Sequence, residues 1–373
     1  MSLTPRLDRA EKNFLINSNF DLWQRGTSLV IAASASDKNY LADRWSHTSF
    51  FASGSITVSR SVDVPSGLKD ATYSMSTAIT TAASVAHATN NYSLNAGVYR
   101  MEGYDAAKLH GKTVTLQFWV KSSLTGLYSV AVGSNFDTGV TSATYVSTYT
   151  VNVANTWEQK SITLLINNTT GSFAKDNTQG LFIGFGLAAR SGGTRETSTL
   201  NQWVPGSTAY VASTANRTDF IGTIGNTIRI AQVKLSIGSQ VTDFSARGET
   251  IGDELALCQR YFEKSYDTNT VVGSITGAGV VREYISGTNT INTIGGTRKR
   301  VEFKVQKRAT PSINIYSPVT GALGFIRYGG GIPASDQAAL SPENLSTSSM
   351  VTGSNSVTAN TDAEWHFTAD AEL

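Results

Sequence analysis

Lys112 to Ser122 reads KTVTLQFWVKS. In an extended chain Val114, Leu116, Phe118 and Val120 fall on one side, and Thr113, Thr115, Gln117, Trp119 and Lys121 on the other. Alternation with a period of two marks a strand with one buried face. Trp119 breaks the rule, as an indole on the polar face. It is either covered by a loop or a neighbouring subunit, or left as an exposed aromatic platform.

Further runs of the same kind lie on both sides. Tyr128–Val132, Thr144–Val153, Trp157–Ile166 and Leu181–Ala188 read as strands, and Asn167, Asn168 and Gly171 as a turn. Regularly spaced strands without intervening helices predict a sandwich or jelly roll. In TIRIAQVKLSIG, 227–238, Ile228 and Ile230 share one parity while Val233, Leu235 and Ile237 share the other. A β-bulge at Ala231 and Gln232 would keep both groups facing the core. Upstream, FLINSNFDLWQRGTS, 14–28, predicts a strand running into a turn at Gly26. Trp23 and Trp45 sit beside Asp21 with Arg25 and Asp43 with Arg44, which predicts buried indoles with local ion pairs.

One stretch departs from the β pattern. Asp253 to Tyr266, DELALCQRYFEKSY, reads as an amphipathic helix. Leu255, Leu257, Cys258, Tyr261 and Phe262 form its apolar side, and Gln259, Arg260, Glu263 and Lys264 its solvent side. Thr250 followed by Asp253 resembles a capping box. Cys258 is expected to be buried and unreactive. Beyond the helix, Val280–Ile285, Thr290–Ile294, Arg300–Val305, Ser312–Tyr316 and Leu323–Tyr328 read as a second, smaller β unit that ends on EWHFTADAEL. The expected organisation is an N-terminal arm over 1–13, a jelly-roll domain over 14–248, a linking helix over 249–267 and a β tip over 268–373.

Composition narrows the function. The chain has 373 residues, 16% of them charged, and a net charge of +2. That length allows two or three domains, each with its own core. So small a charge gives no broad field toward nucleic acid or membrane, and neither is expected as a partner. A single cysteine excludes an internal disulfide and a cysteine-cluster zinc site. No apolar run reaches the roughly 18 residues of a spanning helix. The polar start, MSLTPRLDRAEKN, carries no secretory signal, so synthesis in a cytoplasm is expected.

No HExxH, GxSxG, Walker loop or paired CxxC is present, and no catalytic residue, metal or cofactor is expected. His47, His87, His110 and His366 are scattered without ligand spacing. The basic residues at 298–300 and 304–308 read as solvated strand faces interrupted by Glu302. N-x-S/T matches at Asn91, Asn167, Asn168, Asn216 and Asn344 carry little information here.

NFLINSNFDLWQRGTS, YLADRW, KTVTLQFWVKSS, NTWEQKSITL, ELALCQRYFEKSYD and EWHFTADAEL, taken in this order, resemble bacteriophage tail-fibre and related virion structural proteins. Those proteins carry a jelly-roll domain similar to carbohydrate-binding modules, followed by a smaller β tip. The resemblance implies a non-enzymatic virion protein, often trimeric, that displays a sugar- or host-binding surface. It supplies no catalytic or binding residues. Two other roles stay open: a decoration or adaptor protein of capsid or tail without ligand, and a polysaccharide depolymerase.

Sugar recognition needs flat aromatic faces and polar groups for the hydroxyls. Trp119 with Gln117 and Lys121 is therefore the first candidate for a glycan platform, and Trp203, in the loop from Arg190 to Ser213, the second. Packing under a loop or at a subunit contact is the competing role for Trp119. A homotrimer centred on the second β unit is expected from the crowding of Val280, Tyr284, Ile313, Ile315, Phe325, Ile326, Tyr328, Trp365 and Phe367. The arm over 1–13 would attach it to other virion proteins.

Overall fold

The computed structural model describes residues 12–32, 38–47, 49–50, 54–68, 70–82, 93–134, 142–167, 173–189, 195–206, 211–215, 218, 220–285, 297–329, 335–339, 341–354 and 361–373. The expected attachment arm over 1–13 and the strand Thr290–Ile294 fall largely or wholly outside these residues, as do His87, Asn91, Asn168 and Asn216. The fold is mainly β. The chain divides into two units: 1–21, 27–250 and 373 form the first, and 22–26 and 251–372 the second.

The first unit is a jelly-roll sandwich. One sheet has six strands in the order Ser28–Ala32, Ser55–Ser61, Ser74–Thr81, Thr227–Ile237, Thr113–Ser122 and Glu158–Leu165. The other runs Trp203–Gly206, Ser142–Val151, Gly126–Gly133, Gln179–Ala189, Ser93–Glu102, Trp45–His47 and Asn39–Tyr40, with Ser49–Phe50 also paired to Ser93–Glu102. The apolar parity of KTVTLQFWVKS faces the core as expected: Val114, Leu116, Phe118 and Val120 are fully buried. Phe118 meets the other sheet edge-to-face at Phe185 (4.9 Å) and Tyr149 (5.1 Å). Such aromatic contacts add to the area they bury.

The bulge read from the phase slip is present. Ala231 opposes Trp119 and Lys234 opposes Gln117, so one strand carries an extra residue. Gln232 takes a left-handed conformation, φ 45°. Ile228, Ile230, Val233 and Leu235 are consequently all buried.

Phe14 to Ser28 is a correction. It forms turns rather than a strand until Ser28, with Asn17 at φ 52° and Phe20 at φ 60°. Asparagines in and just before the stretch satisfy backbone groups. The Asn13 amide oxygen accepts from the Leu15 and Leu235 N–H groups at 3.0 and 3.1 Å, and its nitrogen donates to Val233 O at 3.0 Å. Val233 N–H donates to Ser18 O at 3.0 Å. The segment thus occupies the bulge, where the ladder cannot satisfy itself. Trp23 and Trp45 are buried as expected; Arg44 donates to the Arg100 carbonyl, and Arg25 pairs with Asp370 at 2.9 Å.

The outer face of the second sheet is covered by the chain itself. Val211 and Ala212 pack on Val98, Ala131, Val146 and Phe182, with Leu200 beside them. Gly186 makes this approach possible, because a Cβ there would stand 2.0 Å from Val211 O.

The second unit is organised around Thr361–Asp370. Phe262–Lys264 and Ser312–Tyr316 flank its C-terminal half; Val281–Ile285 and Phe325–Gly329 flank its N-terminal half. Ile315, Ile326, Trp365 and Phe367 are buried here within one chain, together with Phe303 and Met350. That corrects the premise that these side chains await a partner subunit. Tyr284 and Phe325 do remain exposed, at 62% and 39%.

The helix ends early. It spans Ile251–Gln259, and Phe262–Lys264 is a strand. Cys258 is buried, at 1% exposure, but so are Gln259, Glu263 and Lys264, which the helical wheel assigned to solvent. The physical reason lies in partners distant in sequence. Glu263 accepts the Lys304 N–H through both carboxylate oxygens at 3.0 and 3.1 Å and pairs with Lys307 at 2.6 Å. Lys264 donates to the carbonyls of Gln24, Thr268 and Thr270. Lys307, expected on a solvated face, is 1% exposed.

Candidate functional site

The polar parity of Thr113–Ser122 lies on the outer face of the six-stranded sheet, and the register shows what stands beside it. Trp119 has Gln159 on one side and Ala231 on the other. Lys121 has Arg229 on one side. Glu158 opposes Val120, which carries Trp157, one residue earlier, to the other side of Lys121. Trp119 and Trp157 are therefore diagonal neighbours on one face, with Cβ atoms roughly 7 Å apart. Both are half-buried.

Asp63, from the segment after Ser55–Ser61, ties the row together. Its carboxylate accepts from Lys121 Nζ at 2.8 Å and from the Trp157 indole N–H at 3.0 Å, and stands 3.6 Å from Arg229 Nε. Burial alone would raise its pKa. Hydrogen bonds from Lys121 and Trp157 and the charges of Lys121 and Arg229 outweigh that and hold it below the usual carboxylate range. The bond to Asp63 also fixes the orientation of the Trp157 ring before any ligand arrives.

Gln117 does not belong to an open site. It is 2% exposed, its Nε2 donates to Thr242 O at 2.6 Å, and its Oε1 accepts from Thr242 N–H at 3.0 Å. It braces the segment that follows Thr227–Ile237, and Thr115 does the same at Gly238 O (2.9 Å). Trp203 is also placed elsewhere. Its indole donates to Leu165 O at 2.8 Å, and its ring meets Tyr145 and Phe173 at 5.9 and 6.0 Å. Leu165 lies six residues along its strand from Gln159, the neighbour of Trp119, about 20 Å at the usual rise. The structure brings Trp119 and Lys121 together, and sets Gln117 and Trp203 apart from them as braces.

Trp157, Asp63 and Arg229 were missed. Trp157 and Arg229 could have been found, since each holds the polar phase at the end of a readable strand. Asp63 had no such signal, because its partners lie 58 and 94 residues away.

The second unit holds a cavity of about 430 Å³ bordered by Gln24, Leu255, Ser265, Val281, Lys304 and Phe367. Its buried charges, Glu263 and Lys264, are taken up by the internal bonds described above. Among the described residues, no group of three or more His, Cys, Asp or Glu is placed to hold a metal ion. Among the same residues no helix is long and apolar enough to cross a membrane.

No family model matches the sequence, and no curated protein does. Solved structures give distant likenesses. A putative sugar binding protein from Bacteroides thetaiotaomicron has 12% identity and TM-score 0.36, over 61% of this chain and 100% of that one. The enzymatically active domain of bacteriophage CBA120 tailspike protein 4 has 14% identity and TM-score 0.30, over 61% of this chain and 21% of that one. The tripod from the baseplate of bacteriophage Tuc2009 has 11% identity and TM-score 0.23, over 78% and 89%. Scores of this size assign neither family nor activity, so the architecture rests on the strand pairing and the site on its own residues.

Proposed function

We propose that the chain is a non-enzymatic virion appendage protein of a bacteriophage, whose first unit binds a host-surface glycan on the outer face of the six-stranded sheet. The observation that carries the reading is the diagonal pair Trp119 and Trp157, with Lys121, Arg229 and Asp63 between and beside them. Indole faces suit the apolar side of a sugar ring, and the fixed polar groups suit its hydroxyls. The sequence resemblance to tail-fibre proteins supports the appendage role. We place the protein in the virion as a homotrimer, with the exposed Tyr284, Leu323 and Phe325 of the second unit at the subunit contact.

The test is binding of the labelled protein to cell-surface polysaccharide from candidate hosts, with release of reducing ends followed in parallel. Saturable binding without release is the expected result. Release of reducing ends would make the protein a depolymerase. No binding to any host polysaccharide would leave it a decoration or adaptor protein.

A further inference from the structure

The outer face of the six-stranded sheet has an unusual charge balance. Its outward parity carries Lys121, Arg229 and Lys234 and no acid, while Arg60, Lys160 and Glu158 lie on the other parity, opposite Met75, Phe118 and Val120. Glu158 turns away from the face, accepting from the Asn152 and Val153 N–H groups at 2.8 and 2.9 Å and from Lys160 at 2.7 Å. The carboxylates that reach the face come from flanking segments. Asp63 is shared by Lys121 and Arg229, and Asp243 lies at the far end, where Lys234 donates to its backbone carbonyl. Around the two indoles, two cations therefore face a single carboxylate. The rest of the outward parity carries no charge: Ser59, Ser61, Ser76, Ser161 and Thr163 bring hydroxyls, and Val30, Ala78, Gln159 and Leu165 share the face.

From this we infer that the ligand of the face is an acidic saccharide, carrying a carboxylate or an equivalent anionic group on the ring that lies beside Trp119. The inference rests on the glycan-binding reading above and deepens it. Arg229 and Lys121 have donors beyond those used on Asp63, since an ammonium has three and a guanidinium five. Their side chains are 23% and 20% exposed, so they are reachable yet already positioned. A second carboxylate brought over Trp119 completes their charge balance through charge-assisted hydrogen bonds, which are stronger than neutral ones. A neutral sugar gains the stacking and its hydroxyl contacts without this charge pairing.

The experiment is affinity electrophoresis of the full chain in gels containing polygalacturonate, alginate, hyaluronate or polysialate, each compared with its carboxyl-reduced form. The inference expects at least one acidic polymer to bind, about tenfold or more tighter than its reduced partner. Lys121→Gln and Arg229→Gln should each weaken binding to the acidic polymer far more than binding to its reduced form, and so erase most of that preference. Trp119→Ala should abolish both, with Trp119→Leu as a second variant if the first melts early. Equal binding of acidic and reduced forms, lost in Trp119→Ala, would sink the acidic inference and leave the glycan face standing. Binding by none of the acidic polymers would also overturn the inference. Tight acidic binding that survives both Trp119 and Trp157 substitutions would overturn the face itself.

Discussion

His47 and Lys307 show how single residues report on this fold. His47 is fully buried between the sheets, with Nε2 2.8 Å from Ala96 O. Burial disfavours its charged form and lowers its pKa from 6.5 to about 4, against a smaller upward push from the Ala96 bond. Above pH 6.5 neither folded nor unfolded chain protonates here, so the neutral imidazole contributes its full stability. Between 6.5 and about 4 the unfolded chain takes up the proton and the folded one does not, so stability falls as pH falls. Integrated over that window the loss is on the order of 3 kcal/mol. Urea midpoints at pH 7 and pH 5 should differ in the parent and differ less in His47→Gln; equal slopes would refute the assignment.

Lys307 makes the complementary case. Its pKa is lowered by burial, with Glu263 opposing that, and the pair is fully enclosed. Lys307→Met leaves the Glu263 carboxylate buried without its cation, which costs about 3–5 kcal/mol. A urea midpoint shift equivalent to less than about 1 kcal/mol would show that the pair is not the brace described here.

At the scale of elements, Gly186 carries the most exposed prediction. Gly186→Ala places a methyl group where Val211 O sits 2.0 Å away, against backbone that cannot swing aside. The cover that Leu200, Val211 and Ala212 make over the second sheet should loosen while the sandwich core holds. Hydrogen exchange should rise at Ser213 N–H, which donates to Ser129 Oγ at 2.9 Å, and stay unchanged at Phe118. Unchanged exchange at Ser213 would mean the contact is not what holds the cover.

Elements also show what was legible in the chain. The strand Thr113–Ser122 and the bulge at Gln232 could be read because period-two alternation, and a slip in it, are local signals. Phe14 to Ser28 reads as a strand because Asn17, Asn19 and Asp21 imitate a polar face, whereas the asparagines serve distant carbonyls, Asp43 O for Asn17 and Asp70 O for Asn19. The helix was drawn too long for the same reason: Glu263 and Lys264 look solvated until Lys304, Lys307 and the Gln24 carbonyl are in place. Trp119 was legible as an indole on the wrong parity. The residues that complete its surroundings arrive through pairing across the sheet, which no local pattern announces.

For the whole molecule the open question is assembly. The second unit buries Ile315, Ile326, Trp365 and Phe367 on its own, so it does not need partners to form a core. It still exposes Ile275, Tyr284, Leu323 and Phe325, more large apolar surface than so small a unit hides easily. The account expects light scattering to give three times the chain mass of 39.8 kDa at micromolar concentration, and Tyr284→Lys with Phe325→Lys to give a folded monomer. A parent that runs as a stable monomer would refute the trimer without touching the binding face.

The most direct measurement of the central claim is a glycan array read with the parent protein and with Trp119→Ala and Trp157→Ala, each first shown to melt as the parent does. The account predicts a restricted set of bound glycans for the parent and loss of about tenfold or more in signal on that set for either variant. Variants that light the same glycans at the parent's intensity would contradict it, and the binding surface would then have to be sought away from the six-stranded sheet.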